Sequence, residues 1–278
     1  MFDWGAVENY VDSSDVLSLK LKTKFEWEDE YEPRKFENDA VGNPSLAIEV
    51  AEGTWGRVPE FIQTISTSTV RETEVKKYPE LVTKLATITY LLAPIRVSVI
   101  VRMKWDWFNE EKDWWVVPAG TRGLKDKKIN LSKAKPFLIP STPQLKKVVD
   151  KAREMNQWQE YVFHSVNRTG KDKFLEESSI NNHLKDLGWG LIQSAHGWRD
   201  VPITAAQEHW DAKNVKRGIP IYEIVQRQLG HKKEKVGVRG FYDESTIMQP
   251  RREFMIWWNQ TLEDMGLLDC LEEKKIIA

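Results

Sequence analysis

The chain has 278 residues and a mass of 32.5 kDa, with 41% hydrophobic residues, 30% charged residues and a formal net charge of −1. This composition is enough for the core of one large domain or two modest domains, and it excludes a chain that is disordered throughout. The single cysteine, Cys270, excludes an internal disulfide and a cysteine-based zinc site, and it favours a reducing intracellular compartment.

Two segments that could carry a targeting or membrane signal lack its features. The first 15 residues contain several carboxylates and no apolar run, so we expect no signal peptide. The longest apolar stretch, residues 87–101, is interrupted by Pro94 and Arg96, which argues against a membrane-spanning helix.

The N-terminal third of the chain combines helical segments with an acidic connector. The spacing of apolar residues predicts a helix at the start of residues 1–20. Residues 25–59 are acidic and rich in turn residues, which is typical of a connector with short ordered pieces. Helices are predicted over residues 58–66 and 80–92, and Pro79 supplies the start signal for the second helix.

The apolar period changes in the middle of the chain and predicts a small antiparallel sheet. Three short strands are predicted over residues 103–108, 114–118 and 135–140. The lysine-rich segment 123–133 lies between the second strand and the third. A helix with a proline at its first position is predicted over residues 142–156, followed by a short extended piece at 161–165.

The rest of the chain is predicted to be helical, over residues 178–187, 203–215, 222–229 and 251–265. The sequence therefore predicts an α+β protein that is mainly α-helical and carries one small three-stranded antiparallel sheet.

Charge is distributed unevenly along this nearly neutral chain. Residues 1–40 hold five Lys or Arg against eleven Asp or Glu, whereas residues 121–147 hold eight basic residues and one acidic residue. Residues 213–252 hold ten basic residues against four acidic ones. The two basic stretches are either solvated faces or the two sides of a site for a polyanion.

Arg96 stands in an apolar segment with no acidic residue within six positions. A guanidinium in such surroundings is destabilising unless it is paired. Two interpretations are open. Arg96 forms an ion pair with a carboxylate that is distant in the sequence, or it belongs to a site that binds an anion such as phosphate.

Three further motifs follow in the C-terminal half. His196 and Arg199 are three residues apart, so one helical turn would present both side chains on the same face. His231 follows a glycine that ends a predicted helix, and Tyr242 lies eleven residues later. Each motif alone is weak evidence for a functional site.

In this order, the motifs resemble the catalytic domain of the tyrosine recombinases, also called the phage integrase family. The resemblance includes Trp105, nine residues after Arg96, the predicted strand 135–140 and the segment 251–258, which is similar to the tail helix of the prophage integrase branch. It covers about residues 76–265. It implies a catalytic domain with a tail helix over 76–278, and a remnant of an N-terminal helical core-binding region plus the acidic connector over 1–75.

The resemblance implies that Tyr242 attacks a DNA phosphodiester and forms a 3′-phosphotyrosyl link without a metal or another cofactor. Arg96 and Arg199 would neutralise the phosphate oxygens, His196 would take the tyrosine proton, and His231 would donate a hydrogen bond to the phosphate. A lysine before the third strand would protonate the leaving oxygen. Its position is best matched by Lys133, with Lys127 and Lys128 as alternatives.

The implied partners are double-stranded DNA and further copies of the chain, in the host cytoplasm and with no membrane. The expected DNA contacts are Lys125, Lys127, Lys128, Lys135, Lys232, Lys233 and Arg239. The tail helix carries more apolar residues than a solvated helix should show, so two alternatives are open: residues 250–265 join neighbouring subunits of a tetramer, or the helix packs on its own domain. These apolar residues are Phe254, Ile256, Trp257, Trp258 and Leu262.

Three features depart from the family pattern. Val99 occupies a position that is usually acidic, and Pro202 requires the helix after Arg199 to begin close to that residue. The region before residue 76 is short and acidic, which indicates a truncated chain or a shortened relative.

Other functions remain open from the sequence. The three alternatives are a DNA-binding relic without catalysis, a strand transferase of the type IB topoisomerase kind, and a metal hydrolase. The last would use His196, His209 and His231, whose positions match no common ligand spacing.

Overall fold

The computed structural model describes residues 43–69, 74–124, 135–169, 172–210, 219–231 and 247–271, with no side chains described for 74–79. The predicted helix at the start of residues 1–20 and most of the acidic connector therefore lie outside the described residues.

The described part of the chain is mainly helical, as predicted. Its α-helices are α1 (Val58–Thr67), α2 (Glu74–Leu92), α3 (Val97–Ile100), α4 (Pro143–Asn156), α5 (Ser178–Asp186), α6 (Val201–His209), α7 (Ile221–Gln228) and α8 (Met248–Asp264). Short 3₁₀ turns occupy Leu46–Glu49, Trp105–Trp107, Gly197–Arg199 and Asp269–Leu271.

Local sequence signals account for the start of α4. Thr142 caps α4, because its side-chain oxygen accepts a hydrogen bond from the Leu145 N–H at 3.2 Å, and proline follows at the first helical position. The predicted start of α2 at Pro79 is wrong. The helix begins at Glu74, so this proline lies in its second turn, where it removes one N–H donor without ending the helix.

A three-stranded antiparallel sheet is present, with the order β1-β2-β3. Its strands are β1 (Phe108–Asn109), β2 (Trp114–Val117) and β3 (Phe137–Pro140), and Trp115 is paired with Ile139 across the second pair. The strand predicted over residues 103–108 is largely wrong, because the Trp107 N–H donates to the Lys104 carbonyl at 3.2 Å and closes a 3₁₀ turn. The α+β class with a small antiparallel sheet is confirmed.

Helix α2 is the central helix of the core, and it contacts α4, α5 and α8. Its residues Leu85, Ala86 and Ile88 are at most 1% exposed. The core also includes Leu46 and Phe61, which precede the predicted domain boundary at residue 75. The described residues before that boundary thus pack against the same apolar side chains as the helices that follow it.

The tail helix α8 packs on its own domain. Phe254, Trp258 and Leu262 are all 0% exposed, so these three residues follow the predicted alternative in which the helix packs on its own domain. The apolar stripe of α8 fills a gap against α2, α4 and β3, and this burial stabilises the subunit itself. Only Ile256, at 49%, keeps substantial apolar exposure on this helix.

Within the described ranges, no helix combines the length and the apolar character that crossing a bilayer requires.

His183 on α5 is a titratable group held against α2. The Thr87 hydroxyl donates to the Thr83 carbonyl at 2.9 Å, so it accepts from the His183 Nδ1 at 3.0 Å. Burial lowers the pKa of His183 to about 4, and the Lys84 charge adds to this effect. The imidazole is therefore neutral in the folded protein at neutral pH.

This arrangement predicts acid sensitivity. The unfolded chain binds a proton at His183 at a higher pH than the folded chain does, so stability falls as the pH drops from 6.5 to about 4. The loss from this residue reaches about 3 kcal/mol at most. Urea unfolding of wild type and His183→Gln between pH 7 and pH 4 should give curves of stability against pH that converge as the pH falls. Asn182→Gln, an exposed neighbour, should give a curve parallel to wild type. A parallel curve for His183→Gln would contradict this account.

Candidate active site

Arg96 lies at the end of the segment that leaves α2, where it precedes the first residue of α3. The side chain is half-buried, and its Nη1 donates to the Gly123 carbonyl. Among the described residues, no carboxylate lies within ion-pair distance of Arg96, so the predicted alternative of a distant carboxylate partner is not found in this part of the chain. A backbone carbonyl orients the guanidinium but leaves its positive charge uncompensated.

Gly123 is required at the position that holds Arg96. Its φ of +101° is rarely adopted by other residues, and a Cβ atom there would overlap the Ser98 hydroxyl and lie 3.1 Å from Val99. Val99 itself is fully buried in the core. The valine that departs from the family pattern therefore packs under the turn, and the Gly123 carbonyl provides the polar contact to Arg96.

His196 and Arg199 occupy one turn of chain. His196 immediately precedes the 3₁₀ turn Gly197–Arg199, and α6 begins at Val201 with Pro202 at its second position. The helix therefore begins close to Arg199, as Pro202 requires. At the second position of an α-helix the N–H has no internal acceptor, so a proline there removes no hydrogen bond. Arg199 is 4% exposed, whereas His196 reaches solvent.

The last turn of α2 connects this turn to the Arg96 segment. The Tyr90 hydroxyl donates to the Ala195 carbonyl, next to His196. The Leu91 carbonyl accepts from the Trp198 indole N–H at 3.3 Å and from the Trp258 indole N–H at 3.0 Å. These contacts explain how residues about a hundred positions apart in the sequence come to one region.

His231 is held directly by Arg199. The Arg199 Nη2 lies 2.7 Å from the Leu229 carbonyl and 2.6 Å from the His231 Nε2. A guanidinium can only donate, so Nε2 accepts this bond, and Nδ1 carries the proton that is donated to the Gln226 side-chain oxygen. This bonding corresponds to a neutral imidazole.

The positive charges of this region influence one another. Burial is the main cause that lowers the pKa of Arg199, and the charge of Arg96 lowers it further. Partial burial also lowers the pKa of His196, with added effects from Arg199 and Arg96 that Asp200 partly opposes. His196 is therefore neutral at pH 7 and can accept a proton. The Arg199 Nε is buried and has no acceptor among the described residues, so it remains an unused donor.

The structure thus brings together Arg96, His196, Arg199 and His231, which the sequence pattern selected. The other candidates in the basic stretches lie outside the described residues, except Lys135, which is exposed two residues before β3. Those not described are Lys125, Lys127, Lys128, Lys133, Lys232, Lys233, Arg239 and Tyr242.

The described histidines do not form a metal site. In the described ranges, no group of three or more His, Cys, Asp or Glu side chains could hold a metal ion. His209 is stacked on Trp55 at a centroid distance of 4.2 Å, and its Nε2 bonds the Thr54 carbonyl at 3.1 Å. This position removes the basis for a metal hydrolase built from His196, His209 and His231.

Arg251 is a further residue near this region, and the sequence interpretation did not single it out. It is 5% exposed, and its guanidinium donates to the Gln228 side-chain oxygen at 3.0 Å and to the Leu138 carbonyl. It therefore links α8 with β3 and with the end of α7 that bears the Leu229 carbonyl. The spacing of 251, 255, 258 and 262 is helical, and this pattern places Arg251 on the buried face of α8.

Gly123→Ala tests whether the turn that holds Arg96 tolerates a side chain. Gly53 is a matched control for backbone strain alone, because its φ is +76° and a Cβ atom there would meet no described atom within 4 Å beyond its chain neighbours. Gly53→Ala should lower the free energy of unfolding by about 1 kcal/mol. Gly123→Ala should lower it by roughly 2 to 4 kcal/mol, because steric overlap is added to the strain. Equal losses in urea unfolding would show that the overlap is relieved without cost.

Arg251→Ala tests the buried link, with the adjacent Arg252→Ala as a control. Removing Arg251 leaves the buried Gln228 side-chain oxygen and the partly buried Leu138 carbonyl without this donor, and it should lower the free energy of unfolding by about 3 kcal/mol or more. Arg252 makes a peripheral contact with Asp113 at 3.5 Å, so its removal should change stability by about 1 kcal/mol or less. Similar losses for the two variants would contradict the assignment.

No family model matches the sequence. The chain is similar to an integrase of Enterobacteria phage P4, with 23% identity over 213 residues that cover 74% of this chain and 44% of the phage protein. It is also similar to the prophage integrase IntA of Escherichia coli K12, with 22% identity over 202 residues, 73% of this chain and 42% of the relative. An integrase of Shigella phage Sf6 shares 24% identity over 186 residues, 66% of this chain and 43% of that protein.

The matched part thus spans less than half of the length of these curated relatives. The similarity is consistent with the mainly helical fold and its small three-stranded antiparallel sheet. At 22 to 24% identity, the chain is thus similar to phage and prophage integrases over part of its length, which supports a relation to that family.

Proposed function

We propose that this chain carries the catalytic part of a site-specific DNA recombinase, which cuts and rejoins DNA through a phosphotyrosyl intermediate at Tyr242. The observation that supports it most is the gathering of Arg96, His196, Arg199 and His231 around α2 and α7. Two guanidinium groups with no described carboxylate partner, next to a neutral imidazole, fit a phosphodiester better than any other common substrate group.

In the proposed reaction, the Tyr242 oxygen forms a bond to phosphorus while the bond between phosphorus and the 5′ oxygen breaks. Arg96 and Arg199 stabilise the negative charge that builds on the non-bridging oxygens. A retained phosphate ester bond makes rejoining possible, because the released 5′ hydroxyl can attack it in the reverse direction.

Protons have defined sources and destinations in this scheme. His196 is neutral at pH 7, so it can accept the phenol proton of Tyr242. Lys133 would give a proton to the leaving 5′ oxygen, with Lys127 and Lys128 as alternatives. His231 accepts from Arg199 in the present arrangement. It would donate to the phosphate after a phosphate oxygen replaces it as the acceptor of Arg199 and the ring binds a second proton.

The chain positions of the basic residues support DNA as the partner. Gly123, which holds Arg96, is followed by the segment with Lys125, Lys127, Lys128, Lys133 and Lys135. His231 is followed directly by Lys232 and Lys233, with Arg239 before Tyr242. We propose that these side chains contact backbone phosphates on either side of the cleavage point, in the cytoplasm of the host.

Assembly into a tetramer on DNA is also part of this proposal. Because Phe254, Trp258 and Leu262 fill the core of their own subunit, a contact through residues 250–265 would use the outer face of α8, with Ile256 and the partly buried Trp257.

The proposed activity can be tested with a pool of nicked DNA duplexes whose central base sequence is randomised. Cleavage next to the nick releases a short fragment, so the strand cannot be rejoined and the covalent product is trapped. Wild type should give a protein–DNA adduct that survives detergent, and Tyr242→Phe should give none. Tyr222→Phe, at an exposed tyrosine on α7, should retain the adduct. Adduct formation should fall at acidic pH as His196 becomes protonated, since only the neutral ring accepts a proton.

Two other results would support different functions. Salt-sensitive binding without any adduct would indicate a DNA-binding relic and contradict the proposal. An adduct that relaxes supercoiled plasmid, with no strand exchange between two selected duplexes, would indicate a type IB topoisomerase-like activity.

A further inference from the structure

The first described residues of the chain pass directly under the turn that carries His196 and Arg199. The Pro44 carbonyl accepts from the Ser194 N–H at 2.9 Å and from the Ser194 hydroxyl at 3.2 Å. The Leu46 N–H donates to the Gln193 side-chain oxygen at 2.8 Å. Sequence patterns gave this segment no role beyond that of a connector.

Ser45 completes a ring of hydrogen bonds around Gly197. The Ser45 hydroxyl donates to the Gly197 carbonyl at 2.7 Å, and the Gly197 N–H donates to the Ser194 hydroxyl at 2.9 Å. Since that hydroxyl in turn donates to Pro44, both backbone groups of Gly197 are tied to residues 44 and 45.

Packing makes this connection rigid. Ser45 is 4% exposed, Leu46 and Gln193 are 0% exposed, and Gly197 is buried, so water does not replace these bonds. A Cβ atom on Gly197 would overlap the Pro44 carbonyl, which shows that the two backbones are in direct contact. A displacement of residues 44 and 45 therefore moves the peptide groups of Gly197.

Gly197 lies between His196 and Arg199, so its peptide groups set the directions in which those two side chains leave the backbone. The Ser45 hydroxyl also accepts from the Ala47 N–H at 3.2 Å, which fixes its orientation at the start of the 3₁₀ turn Leu46–Glu49. The hydroxyl is thus held from both sides and has one geometry available for its bond to Gly197.

We propose that Ser45 is a positioning residue for the His196–Arg199 turn, and that residues 44–46 couple the connector to the reaction at the phosphate. This inference rests on the proposed function for its catalytic consequence, but the positioning itself does not require activity. It predicts that damage at Ser45 changes the chemical step and not the affinity for DNA.

Ser45→Ala is the direct test, and Thr142→Ala is its matched control. Thr142 is equally buried and also caps a helical segment, but it lies at the start of α4, away from the turn. On a saturating nicked duplex, Ser45→Ala should form the adduct about tenfold more slowly than wild type, because one buried hydrogen bond no longer orients the turn. Its dissociation constant for DNA should stay within about twofold, and Ser45→Thr should recover most of the rate.

A second readout is independent of catalysis. Partial burial lowers the pKa of His196 most, and the charges of Arg199, Asp200 and Arg96 also act on it, so this pKa depends on where the turn places the ring. In the free protein, the pKa of His196, followed by NMR and assigned with His196→Gln, should move toward the ordinary histidine value in Ser45→Ala and stay unchanged in Thr142→Ala. If Ser45→Ala does not fold, Ser194→Ala removes the other half of the ring and should give the same shift.

The outcomes separate the two proposals. An unchanged His196 pKa, or a cleavage rate that falls no more than in Thr142→Ala, would overturn the positioning role. If wild type forms no adduct with any duplex, the proposed function fails, while the His196 titration still decides whether Ser45 positions the turn.

Discussion

The proposed site depends on two guanidinium groups that, among the described residues, are held by backbone carbonyls and have no carboxylate within ion-pair distance. Arg96 donates to the Gly123 carbonyl, and Arg199 donates to the Leu229 carbonyl at 2.7 Å. A carboxylate partner would neutralise each charge, whereas a carbonyl dipole fixes the direction of the guanidinium and leaves the charge available. Because like charges in a partly buried region repel, the proposed binding of a phosphate by both guanidinium groups would relieve this repulsion.

The remainder of the fold keeps these two carbonyls and two side chains in place. Gly123 and Gly230, with φ values of +101° and +72°, form the turns beside the accepting carbonyls. The end of α2 joins the Arg96 segment to the His196–Arg199 turn through Tyr90 and the Leu91 carbonyl. Arg251 and Ser45 connect the C-terminal helix and the N-terminal connector to the same region, so the site is supported by parts of the chain that are far apart in the sequence.

The sequence predicted most of the described helices and the small antiparallel sheet because these features depend on local period and turn residues. It failed where tertiary contacts decide. The 3₁₀ turn Trp105–Trp107 replaces a predicted strand, and only the contacts of α8 decide that Phe254, Trp258 and Leu262 pack on their own domain. The partner of Arg96 is a backbone carbonyl 27 residues away, and Ser45 bonds a carbonyl 152 residues away. Backbone acceptors are present at every position, so no side-chain pattern could identify these two.

In the proposed reaction, Arg96 and Arg199 act on one phosphate. A double-mutant cycle on the rate of adduct formation, with Arg96→Ala, Arg199→Ala and the double variant, measures this most directly. If both arginines stabilise the same charge, the rate of the double variant should fall by a much smaller factor than the product of the factors for the two single variants. The account would be contradicted if all variants fold and the rate of the double variant falls by the full product of the two single factors. The two arginines would then act independently.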